Sequence, residues 1–137
     1  MGACYDVRLQ MQFSVPDAKE KIVATMQEYI KKEMSVDFSL DKYAAEGVTT
    51  DSLEDLLKIC LGGWEKCHPR ITQKNNGSEY SCSFDASYEW ERVMMDIFEQ
   101  ICPYITNGSE MFISIDNDYD CLVAEEGKCI HYPLKRK

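Results

Sequence analysis

The sequence predicts an α+β domain: a mixed β-sheet of about five strands, with helices packed on one face. Three observations predict it. Residues 5–14 alternate apolar and polar without a fault, the period of a strand with one wet face. Residues 87–102 carry apolar side chains at helical spacing. Segments 76–85 and 107–116 both read Asn-Gly-Ser-Glu, then a strand, then Asp, thirty-one residues apart and with that helix between them. The last pattern is a βαβ unit over 79–115, whose two strands run parallel through a right-handed crossover.

Each element follows in chain order. Tyr5, Val7, Leu9, Met11 and Phe13 give the first strand its core side. Ser14 and Asp17 frame Pro16 as a helix start. The helix runs to about Met34, with Ile22, Val23, Met26, Tyr29, Ile30 and Met34 on one side. Residues 40–46 form a short helix stopped at Gly47. Asp51 and Glu54, three apart, open another helix, which presents Leu53, Leu56, Leu57, Cys60 and Leu61 and ends at Gly62-Gly63. Residues 70–74 and 79–84 are strands joined through Asn75-Asn76-Gly77. Helix 87–102 shows Trp90, Val93, Met94, Ile97, Phe98 and Ile101 as its stripe, and Pro103 follows its end. Strands 110–115, 121–125 and 128–132 complete the sheet, the last two as a C-terminal β-hairpin through Glu126-Gly127.

At 137 residues and 45% hydrophobic, residues 1–137 form a single domain with a core of its own, and 133–137 are a frayed basic tail. No apolar run approaches the roughly 20 residues that span a bilayer. The first residues lack the basic-then-apolar order of a secretory signal. Seven cysteines, an odd number with no C-x-x-C pair, fit reduced thiols in a cytoplasmic protein. The Asn-Gly-Ser sequences at Asn76 and Asn107 then read as turns.

Motifs for chemistry fail at specific positions. Asp116, Asp118 and Asp120 stand at positions one, three and five of a calcium loop, but Cys121 and Gly127 occupy the places that need Gly and Glu. Cys67-His68 and Cys129-x-His131 lack zinc-ligand spacing. No phosphate-binding glycine loop or nucleophile elbow occurs. The expectation is a protein without metal, cofactor or catalytic residues.

Charge is the strongest signal for partners. Residues 79–132 hold twelve acidic side chains against two basic ones, or −10. Residues 1–78 hold twelve against ten, or −2, and the three basic residues at the end bring the chain to −9. Such a balance opposes direct contact with nucleic acid and favours a cationic protein surface. Acids three and four apart on a helix stand about 5–6 Å apart at Cβ, and carboxylates fork onto arginine as phosphates do. The candidate partner-binding residues are Asp85, Glu89, Asp96, Glu99, Asp116, Asp118, Asp120, Glu125 and Glu126.

The run from Tyr88-Glu-Trp-Glu-Arg-Val-Met-Met-Asp through Asn107-Gly-Ser-Glu110, followed by an Asp-rich hairpin, resembles small α/β proteins of bacteria, phages and mobile elements. Size, acidity and the missing enzymatic motifs are similar to anti-CRISPR and anti-restriction proteins. That resemblance covers the last third of the chain and implies an inhibitor. The expected function is a non-enzymatic inhibitor that blocks the DNA or RNA groove of a CRISPR effector or similar nuclease by charge mimicry, with no membrane contact. The alternative is a structural or regulatory interaction module, homodimeric through a sheet edge, whose acidity serves solubility. A small cysteine or metal enzyme ranks third.

Overall fold

A computed structural model describes residues 4–13, 17–33, 38–61, 70–74, 78–87, 90–115 and 118–135. The strands are β1 (Cys4–Gln12), β2 (Arg70–Lys74), β3 (Glu79–Ser87), β4 (Glu110–Ile115), β5 (Asp118–Glu125) and β6 (Lys128–Lys135). The helices are α1 (Ala18–Lys32), α2 (Leu40–Ala45), α3 (Leu53–Cys60) and α4 (Glu91–Ile101), and α4 runs on into a 3-10 turn at Cys102–Tyr104. The α+β class holds, with two corrections. The sheet has six strands rather than five, and its order is β2-β3-β1-β4-β5-β6. Every pairing among the described strands is antiparallel, so the sheet is not mixed.

The βαβ reading of 79–115 is half right, for a physical reason. β3 and β4 both pair antiparallel with β1, so they do run in one direction. They are not hydrogen-bonded neighbours, because β1 lies between them. The crossover through α4 therefore skips one strand. Strands β1 to β4, with α1 and α4, form a split β-α-β-β-α-β arrangement. α2 and α3 are inserted before β2, and the β5–β6 hairpin widens the sheet beyond β4.

The alternation of β1 does what its period requires. Val7, Leu9 and Met11 are buried, while Asp6, Arg8, Gln10 and Gln12 are exposed. Their register partners share the same two faces, so Tyr80, Cys82, Phe84, Met111, Ile113, Leu122 and Ala124 join the core. The helices cover this face with Ile22, Met26, Leu56, Leu57, Met94, Ile97, Phe98 and Ile101. Among the described residues, no buried side-chain nitrogen or oxygen lacks a hydrogen-bond partner. None of the described helices is long and apolar enough to cross a membrane.

Local differences are instructive. α3 is capped by Ser52, whose hydroxyl accepts the Asp55 N–H at 3.2 Å, and not by Asp51. Asp17 sits at the start of α1 without a side-chain cap and pairs instead with Lys21 at 3.4 Å. Ser14, Pro16, Met34, Asn76 and Gly62-Gly63 lie outside the described residues. Residue 87 belongs to β3, so α4 begins later than the expected 87–102 helix. Strands β5 and β6 are longer than expected, and Pro133–Lys135 of the supposed tail pair with Asp118–Asp120. β6 is an edge strand, where proline is tolerated.

The thiols behave as small apolar groups. Burial pushes Cys60 above its usual range, and burial raises Cys82 and Cys102 to about 12. Unfolded thiols ionise near the ordinary value of 9, so above that pH the unfolded chain holds fewer protons than the native one. Stability is therefore complete below pH 9 and is expected to fall as pH rises from there toward 12. At pH 8, alkylation of native protein should spare Cys60, Cys82 and Cys102, and denaturation should expose all seven thiols of the chain. Fast native labelling of Cys60 would refute the buried arrangement.

Candidate functional site

Helices cover one face of the sheet, and among the described residues none covers the opposite face. It forms a shallow concavity of about 940 Å³ across β2, β3, β1 and β4. Register builds it in rows. Arg70 on β2, Ser83 on β3, Arg8 on β1 and Phe112 on β4 are successive partners, so they stand in one line across four strands. The line continues through Cys121 and Tyr132. A parallel line holds Thr72, Ser81, Gln10 and Glu110. Within it, Gln10 donates to the Ser81 hydroxyl at 3.2 Å. Arg8 and Arg70 are exposed, and among the described residues neither makes an ion pair.

The nine acids expected to form one surface fall into different places. Asp96, on α4, accepts the Arg92 guanidinium at 3.0 Å and the Tyr29 hydroxyl at 3.1 Å. Arg92 also reaches Glu33 at 3.2 Å, tying α4 to the end of α1. Burial, with Asp96 and Glu33 beside it, holds the Tyr29 hydroxyl well above its ordinary pKa. Asp120 contacts His131 at 2.9 Å, across β5 and β6. Asp96 and Asp120 are thus engaged within the fold. Glu89 and Asp116 lie outside the described residues. The backbones of Asp85 and Asp118 are placed, Asp85 opposite Asp6 and Asp118 opposite Ile115 and Lys135.

The other three acids are exposed, and Glu125 accepts the Tyr132 hydroxyl at 3.5 Å. Glu125 and Glu126 are exposed at the β5–β6 turn, and Glu99 is exposed near the end of α4. Burial raises the Cys129 thiol, the Cys102 hydrogen bond lowers it and the Glu99 charge adds to the rise. The turn is locked in place: Asn107 Oδ1 accepts the Glu126 N–H at 2.7 Å. Glu126 and Gly127 have φ of 51° and 79°, the paired left-handed geometry of a tight hairpin. Glycine adopts it freely, whereas glutamate costs about 1 kcal/mol there.

Among the described residues, no cluster of three or more His, Cys, Asp or Glu is arranged to hold a metal. Sequence reasoning missed the Arg70–Ser83–Arg8–Phe112 line, because β1 showed only that Arg8 is on the wet side. The line exists only once three registers are known. Comparison with protein-family models, with curated proteins and with solved structures found no match.

Proposed function

We propose that the chain is a non-enzymatic, cytoplasmic inhibitor that occupies the cationic groove of a nucleic-acid-handling enzyme through the acidic edge of Glu99, Glu125 and Glu126. The observation that carries this reading is Glu126. A residue at φ 51° in a two-residue hairpin is favoured as Asn, Asp or Gly, and glutamate stands there at a local energetic cost. A strained residue that adds charge to an exposed acidic edge is consistent with selection for the charge. The net charge of −9 acts in the same direction by steering the chain toward cationic surfaces.

The experiment separates charge from stability. Glu126→Asn relieves the turn, and Glu99→Gln and Glu125→Gln are exposed changes, each within about 0.5 kcal/mol. A panel of purified CRISPR effectors and restriction nucleases is assayed with the native chain and the triple variant. The expected result is inhibition of one of them, weakening steeply with salt and at least about tenfold weaker in the variant, the size of one lost charge-assisted contact. Equal inhibition by both proteins, or none of the panel inhibited, would sink this reading.

A second reading, a homodimer through a sheet edge, is favoured by Tyr132. This tyrosine is 43% exposed on edge strand β6. A solution mass of twice the 15.8 kDa chain that reverts on Tyr132→Lys supports that reading.

A further inference from the structure

We propose that the open sheet face is a binding site for a free nucleotide, with its phosphates on the Arg70–Ser83–Arg8 line and its base on Phe112. The site is distinct from the acidic edge and independent of the function proposed above. Its chemistry follows from the register. Neighbouring strands lie about 4.8 Å apart, so the backbones of Arg70 and Arg8 are about 10 Å apart and Phe112 is one strand further on. Two guanidiniums with a hydroxyl between them can be bridged by two or three linked phosphates, which accept forked hydrogen bonds from arginine. Thr72 and Ser81 in the next line add hydroxyl donors beside the same place.

The remaining groups fix the rest of the ligand. Phe112 is the direct partner of Arg8, so a planar ring stacked on it keeps its phosphates within reach of that guanidinium. Glu110, two residues along β4, offers a carboxylate acceptor for ribose hydroxyls or an exocyclic amine. Asp6, two residues from Arg8 on the other side, repels phosphate there and directs it toward Thr72 and Ser81. A volume of about 940 Å³ lies at the upper end of small-molecule sites, ample for a nucleoside triphosphate.

Charge decides between sources of this chemistry. This protein contains 24 acidic and 15 basic residues, yet two exposed arginines stand in one line with no ion pair among the described residues. Asp6 and Glu110 balance them within the concavity, so attraction there comes from the two guanidiniums at contact distance rather than from a net positive field. A polynucleotide would have to follow the molecule past its acidic flanks, and the net charge of −9 opposes that. A mononucleotide stays within the arginine line.

The test is calorimetric titration of the full chain with ATP, GTP, adenosine, inorganic triphosphate and a single-stranded oligonucleotide. One saturable site for ATP or GTP is expected, with adenosine and triphosphate each about tenfold weaker or worse, the scale of a lost charged contact or a lost stacked base. Arg8→Ala and Arg70→Ala should each weaken nucleotide binding about tenfold, with Arg8→Lys recovering part of it. Phe112→Leu should weaken the nucleotides and leave triphosphate unchanged. Melting temperatures serve as the folding control for every variant. The proposal is overturned by no saturable binding at millimolar nucleotide, by full binding by the folded Arg8→Ala/Arg70→Ala double variant, or by oligonucleotide binding tighter than ATP. Triphosphate binding as tightly as ATP also overturns it, since the base would then contribute nothing.

Discussion

Phe98→Ala is expected to lower the free energy of unfolding by about 3–5 kcal/mol, the range for aromatic truncation in a packed core. Phe98 is 1% exposed, on the face of α4 that closes the helical layer over the sheet with Met94, Ile97 and Ile101. Truncation removes the ring from an interior that cannot collapse freely, because β1 and β4 are fixed by their ladders on the other side. Domains of this size are stable by about 5–15 kcal/mol, so the variant retains a small margin or unfolds. Urea denaturation at constant slope checks it. Leu40→Ala, at a side chain 41% exposed, is the control and should stay within about 0.5 kcal/mol. A Phe98→Ala loss below about 1 kcal/mol would mean that α4 does not seal the core as described.

The stripe that makes Phe98 critical was readable in the sequence, because a 3.6-residue period is a local property. Val93, Met94, Ile97, Phe98 and Ile101 are all buried as the spacing required. The alternation of β1 was readable for the same reason. The start of α3 was misjudged by one residue, since Asp51/Glu54 and Ser52/Asp55 both satisfy the capping pattern and only the backbone chooses Ser52. The repeated Asn-Gly-Ser-Glu pattern gave the direction of β3 and β4 correctly. It could not show that β1 inserts between them, because strand adjacency over seventy and more residues leaves no mark in local spacing. Edge pairing of Pro133–Lys135 was hidden likewise behind a run of basic residues that reads as tail.

The acidic block shows the same limit at the level of the site. Counting charges found the excess but not its distribution. Asp96 is engaged by Arg92 and Tyr29, and Asp120 by His131, through residues on other elements. Glu125 and Glu126 were legible as a hairpin turn, yet the Tyr132 hydroxyl that Glu125 accepts comes from the next strand and is set by register. Arg8 and Arg70 sit 62 positions apart in sequence and become neighbours only through Ser83. Sequence pattern assigns a residue to a face, whereas register assigns it to a row, and binding chemistry is organised by rows.

Ser109→Val is expected to cost about 1 kcal/mol, the scale of one hydrogen bond at a part-buried site. Ser109 is 5% exposed, where the β1–β4 ladder has ended, and its hydroxyl takes over the role of a backbone carbonyl by accepting the Gln12 N–H at 3.0 Å. Its own backbone joins the hairpin, because the Ala124 N–H donates to the Ser109 carbonyl at 2.8 Å and the Gly108 N–H donates to Ala124 at 2.9 Å. One residue thus connects the end of β1, through its side chain, to β5, through its backbone. Valine and threonine have the same shape and both add one methyl group to serine, so the difference between Ser109→Val and Ser109→Thr, which keeps the oxygen, reports the hydrogen bond, and threonine should be the more stable of the two. Amide exchange gives the sharper readout: the Gln12 and Ala124 amides should lose protection together in Ser109→Val, with the core of α4 unchanged. Protection of Gln12 equal to that of the native chain would show that the hydroxyl carries no part of the junction.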